Sequence, residues 1–108
     1  MKIKLLCPEP DSFSLQGLEY ARTFANLTAV SLSQEEFDKL APDYDAVLVR
    51  FNTRVGTSIL NKESKIKVVI SPTTGLDHID TKSAKSLGIK VFHLHGKRRF
   101  LKSVSSTA

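Results

Sequence analysis

The run Ile66-Lys67-Val68-Val69-Ile70 empties into Ser71-Pro72-Thr73-Thr74-Gly75-Leu76-Asp77-His78-Ile79-Asp80, and Thr81 to Leu87 then follow with helical spacing. A short β-branched apolar run is a buried strand, so this stretch reads strand, loop, helix. Pro72 stiffens the strand exit and removes one backbone donor. Gly75 permits a positive φ or the close approach of another molecule. Consecutive free N–H groups in such a turn form a concave site for anions. In an open α/β sheet, ligands collect in the crevice outside the carboxyl ends of the strands.

The same alternation runs through the chain. Residues 2–7 read as a first strand, broken by Pro8-Glu9-Pro10-Asp11. Asp11 or Ser12 is a cap for the helix that follows, because both side chains accept from free first-turn N–H groups. Leu15, Leu18, Ala21, Phe24 and Ala25 fall near one helical face, with Asn26 and Leu27 closing the helix. Thr28-Ala29-Val30-Ser31 is expected as the second strand. Ser33-Gln34-Glu35-Glu36 fits a capping box, and its short helix ends near Leu40, before Pro42. Residues 45–50 form a third strand, apolar in its middle and charged at its exit, Arg50. Residues 51–54 are a loop, and Thr57 to Leu60 a short helix. Asp80 caps the helix over 81–87, Gly88 ends it, and 89–93 is the fifth strand. Five strands alternating with helices predict an α/β fold, a doubly wound parallel sheet of flavodoxin-like order 2-1-3-4-5.

Length and composition narrow the function classes. A chain of 108 residues makes one domain with a real core. No apolar run approaches a membrane span, and the apolar piece at the N-terminus is too short for a signal sequence, so a cytoplasmic location is expected. The single cysteine, Cys7, allows no internal disulfide and reads as a small buried hydrophobe. The net charge of +5 has its densest part at Lys97, Arg98, Arg99 and Lys102. Such a patch attracts phosphates or small anions, or is simply a solvated surface. Aromatics do not interleave with these residues, which argues against nucleic acid.

If the sheet is parallel, the strand exits bring together Cys7-Pro8, Arg50 with Asn52 and Thr53, the 71–77 loop, and His93 to Arg99. Arg50 suits a carboxylate or phosphate, or a local ion pair. His78, His93 and His95 match no structural zinc spacing and read as ordinary histidines. Asp77 and Asp80 are explained by loop and cap roles. Gly17, Gly56, Gly75, Gly88 and Gly96 build neither G-x-G-x-x-G nor a Walker A motif, and there is no G-x-S-x-G. The residues alone thus define an anion-binding edge without a catalytic constellation.

Four pieces of the chain, Tyr44 to Arg50, Ile66 to Ile70, Thr74-Gly75-Leu76-Asp77-His78-Ile79-Asp80 and Leu87-Gly88-Ile89-Lys90-Val91, resemble the NAD-dependent D-isomer specific 2-hydroxyacid dehydrogenases over roughly 44–108. The resemblance implies a substrate-binding domain over 1–99. It further implies that 100–108 begins the helix leading into an NAD-binding domain. It implies that backbone amides around the loop glycine, mapped onto Thr74 and Gly75, hold the substrate carboxylate, and that Arg50 lies near the substrate; Thr73, at the same strand exit, is expected to join the loop's anion site. The family's catalytic Arg, Glu and His have no counterpart here. Asn is common in the family where His78 stands. Where the family has Gly-x-Asn-Thr or similar after strand five, this chain reads Gly96-Lys97-Arg98-Arg99-Phe100, which suits an acidic or phosphorylated substrate. The implied partners are a small anionic hydroxy acid or oxo acid and a second copy in a homodimer. NAD is the implied cofactor, held by the other domain, so tight NAD binding and turnover by these residues alone are not expected. A surface near Phe100 and Leu101 is expected to associate with a neighbour. The alternative is a stand-alone flavodoxin-like module that binds an anion or a protein.

Overall fold

The computed structural model describes residues 2–73 and 75–93. Thr74, His95, Gly96, the basic cluster around 97–99 and the tail with Phe100 and Leu101 lie outside them. Five strands, β1 (Ile3–Cys7), β2 (Ala25–Ala29), β3 (Ala46–Leu48), β4 (Val68–Ser71) and β5 (Lys90–His93), form one sheet in the order β2-β1-β3-β4-β5. Every pairing is parallel, with Leu5 opposite Leu27 and Ala46, and Val69 opposite Val47 and Val91. The expected flavodoxin-like topology is therefore the observed one.

Side-chain alternation along the strands explains why both faces must be covered. In β1 and β3, Leu6 and Val47 face one way, Leu5, Cys7, Ala46 and Leu48 the other, and all are buried. The first face is closed by α2 (Gln34–Leu40) through Phe37, by α3 (Thr81–Ser86) through Ala84, and by Val55, Ile59 and Leu60. The second is closed by α1 (Leu15–Arg22) through Leu18 and Ala21. Cys7 belongs to this second cluster, and burial pushes its thiol up to about 11. It is a packed, unreactive side chain.

The caps follow local chemistry. Ser33 accepts from the Glu36 N–H while the Glu36 carboxylate accepts from the Ser33 N–H, the reciprocal box read from the sequence. Asp80 accepts from the Ser83 N–H, and Gly88 leaves α3 at φ 76°. Three expectations are corrected. Ser14, not Asp11 or Ser12, caps α1 by accepting from the Gly17 N–H; residues 10–12 form a separate 3-10 turn that Pro10 opens. β2 begins at Ala25 rather than Thr28, so Asn26 and Leu27 are strand residues, and the pairing continues as the Val30 N–H donates to the Cys7 carbonyl. Residues 57–60 form no helix. The Ile59 and Leu60 N–H groups both close on the Gly56 carbonyl, and Val55 is held in extended form by a bridge to Ile79.

Phe37 is fully buried on the face that α2 covers, so Phe37→Ala should cost about 3–5 kcal/mol. Ser33→Ala, which removes only the cap, should cost about 1 kcal/mol. Urea unfolding of the two variants checks this order; equal losses would mean that α2 is not held by its core contact.

Candidate functional site

In a parallel sheet all strand exits lie on one edge, and here that edge gathers residues 8–12, 50–54, 72–73 and 75–79. Two polar networks order it.

The first stitches the loop after β4. Ser71, Thr73 and His78 are all buried. The Thr73 hydroxyl donates to the Gly75 carbonyl at 2.8 Å, and the Ser71 hydroxyl lies 3.2 Å from Thr73 Oγ1 and 2.8 Å from His78 Nε2. Proton counting fixes the direction of this chain. A hydroxyl carries one hydrogen. That of Thr73 is spent on Gly75, so Ser71 must donate to Thr73, and Ser71 must in turn accept from His78 Nε2–H. In the neutral ring, His78 Nδ1 is then a bare acceptor. It is buried and meets no hydrogen-bond partner among the described residues. Burial holds the His78 pKa below its usual 6.5, against the opposing pull of the Glu9 and Asp77 charges. The Phe51 ring packs edge-on against the imidazole, with centroids 5.4 Å apart.

The second network surrounds Glu9, which is only 8% exposed. Its Oε1 accepts from the Ser12 hydroxyl at 2.8 Å and the Asn52 N–H at 3.4 Å, and Asn52 Nδ2 donates to Ser12 Oγ. Arg50 donates from Nη1 to the Ser12 carbonyl at 3.2 Å, so this half-buried guanidinium braces the 10–12 turn. Glu9 Oε2 is buried without a partner among the described residues.

The structure thus brings Arg50, Thr73 and Gly75 to one edge; Thr74 lies outside the described residues. Thr73 builds the loop. Its N–H donates to the Ser71 carbonyl at 2.7 Å and its hydroxyl is committed to Gly75, so neither faces outward as the sequence reading expects. The Gly75 and Leu76 N–H groups are taken by no described residue. A Cβ built on Gly75 meets nothing within 4 Å among the described residues. What its missing side chain leaves is space. Sequence reasoning passed over Glu9, as part of a strand breaker, and His78, as an ordinary histidine. The signal for both was a charged or titratable residue beside a strand exit, too common in sequence to single out.

The described residues do not fit a dinucleotide. A pyrophosphate needs a glycine-rich turn opening a helix. Here Ser14, Ser33 and Asp80 occupy the three helix N-termini, and Asp80 adds negative charge at the one that follows the Gly75 loop. Among the described residues no three His, Cys, Asp or Glu side chains gather as a metal site, and no helix is long and apolar enough to cross a membrane.

A five-stranded parallel sheet in flavodoxin-like order, with helices on both faces, defines the class as an α/β domain. The family model for the D-isomer specific 2-hydroxyacid dehydrogenase catalytic domain matches residues 9–98, and the chain belongs to that family. The match extends well toward the N-terminus from residue 44, where the recognisable motifs begin. A hydroxypyruvate reductase of Thermotoga maritima is 34% identical over 70 residues, covering 65% of this chain and 23% of the reductase. A crystallised protein from Pyrococcus horikoshii superposes with a TM-score of 0.75 at 23% identity, over 86% of this chain and 28% of that one. The D-lactate dehydrogenase of Aquifex aeolicus, complexed with NAD and lactic acid, superposes with a TM-score of 0.67 at 19% identity, over 85% and 28%. The chain thus spans about a quarter of the length of these proteins.

A histidine kept neutral by burial stabilises the fold fully above pH 6.5, and that contribution is lost as pH falls from there through the ring's lower folded pKa. Ring-proton NMR should show His78 titrating below 6.5. Urea unfolding at about pH 8 and about pH 5 should show a loss of stability that His78→Asn diminishes. A His78 midpoint above 6.5 would show the ring to be ion-paired instead.

Proposed function

We propose that the chain is the substrate-binding domain of an enzyme that transfers hydride between NAD and a D-2-hydroxy acid, with the Gly75–Leu76 backbone as the seat of the substrate carboxylate. The observation that carries this is the pair of N–H groups that no described residue takes, beside a glycine whose Cβ space is open among the described residues. Two amides oriented by a loop recognise a carboxylate by geometry, and without a side-chain charge of their own. Arg50 stands on the same edge and adds positive potential near the substrate. The reaction oxidises C2 of the hydroxy acid to a carbonyl, removing a hydride from C2 and a proton from its hydroxyl. The residues described here bind and orient the acid; cofactor binding and proton transfer are assigned to other parts of the enzyme. NAD as the cofactor is supported by family membership and by the NAD complex of the Aquifex aeolicus enzyme.

Two measurements test the reading. Reading the gene beyond codon 108 should reveal an in-frame G-x-G-x-x-G, and its product should reduce a 2-oxo acid with NADH; a stop codon there would favour the stand-alone binding module. In that enzyme Gly75→Val should lower kcat/KM by about ten- to a hundredfold, the value of one charge-assisted hydrogen bond, while leaving the melting temperature nearly unchanged. Unaltered kcat/KM in the folded variant would remove the carboxylate seat.

A further inference from the structure

Glu9 and His78 pose a problem that the carboxylate seat does not solve. Each is more than nine-tenths buried, and each ends in an atom with no partner among the described residues, Glu9 Oε2 and His78 Nδ1. A buried acceptor left bare costs about 1–3 kcal/mol, more when charged. Both bare atoms are acceptors, because proton counting through Ser71 and Thr73 puts the imidazole hydrogen on Nε2. Phe51 packs on the His78 ring and the next residue, Asn52, donates its N–H to Glu9 Oε1, so consecutive residues tie the two side chains together. The Glu9 charge is close enough to act on the imidazole. Two unsatisfied acceptors on one sheet edge call for a donor. The half-buried Arg50 guanidinium braces the same turn, so a neutral donor suits this edge better than a second cation, which it would repel.

We infer that Glu9 and His78 form a second subsite, which accepts hydrogen bonds from hydroxyl groups of a polyhydroxy acid whose carboxylate lies on the Gly75–Leu76 amides. The pair is then a specificity determinant. It favours acids with a hydroxylated chain over alkyl acids of the same length, which leave both acceptors bare. The inference rests on the carboxylate reading for its register, and the two are separable by their reporters. Amide signals of Gly75 and Leu76 follow the carboxylate, and the ring nitrogens of His78 follow the hydroxyls.

The test is an NMR titration of the 108-residue chain with D-glycerate and with propionate, which has the same carbon chain without hydroxyls. D-glycerate should shift both reporters, and propionate only the two amides. D-glycerate should bind about tenfold or more tightly, as expected for hydrogen bonds to a charged acceptor. Glu9→Gln, which keeps the shape and exchanges an acceptor for a donor, should bring the two acids to nearly equal affinity while propionate binding stays the same. His78→Asn keeps a donor for Ser71 and removes the bare ring nitrogen; it should narrow the difference too, and it serves if Glu9→Gln fails to fold. Amide shifts with both acids but equal affinities and a silent His78 ring would overturn the subsite and leave the carboxylate seat standing. Silence of the amides with both acids would overturn the seat, and the subsite with it.

Discussion

Polar side chains sealed from water must satisfy one another, and the loop after β4 is built around that constraint. Ser71, Thr73 and His78 sit where the sheet meets α3, and the two hydroxyls and the His78 Nε2–H are each assigned a partner by their neighbours. The relay from imidazole to hydroxyl to hydroxyl to the Gly75 carbonyl ties Ser71, Thr73, Gly75 and His78 together. The Val55–Ile79 bridge and the Asp80 cap then deliver the chain into α3. These ties matter for the proposed recognition, because a carboxylate read by backbone amides would be read by position. Amides already held in place lose little freedom on binding.

The sheet supplies the platform. β1 and β3 are buried on both faces, so their carboxyl ends cannot shift without opening the core. Glu9 leaves β1, Arg50 and Asn52 leave β3, and Ser71 ends β4. Their mutual geometry follows from parallel register, and the hydrogen bonds from Arg50 and Asn52 to the 10–12 turn tighten it. The edge is polar but has few formal charges paired within it. The ion pairs among the described residues, Glu19 with Arg22 and Glu35 with Lys39, lie on exposed helix surfaces and contribute little.

Much of the fold was legible because strands of this class are apolar on both faces and stand out against amphipathic helices. The capping box at Ser33 and Glu36 and the Asp80 and Gly88 boundaries were legible because each rests on local backbone chemistry. Errors arose where local signals were degenerate. Phe24 and Ala25 suit a helical face and a strand alike, and only pairing of Ala25 with Ile3 decides the second. Thr57 to Leu60 has helical spacing, yet tertiary pairing of Val55 leaves room for a single turn. At the site, strand exits located Arg50 and the Gly75 loop. The inward turn of Thr73 and the burial of Glu9 and His78 were hidden, because they depend on side chains that meet only after the sheet has formed.

The proposed carboxylate seat is tested most directly by a crystal structure of the chain with oxamate, an unreactive mimic of a 2-oxo acid. The carboxylate should lie within about 2.7–3.2 Å of the Gly75 and Leu76 nitrogens, the range of an N–H···O hydrogen bond. The Ser71–Thr73–His78 relay should be unchanged. Oxamate bound at another place on the molecule, with these amides left uncontacted, would contradict it.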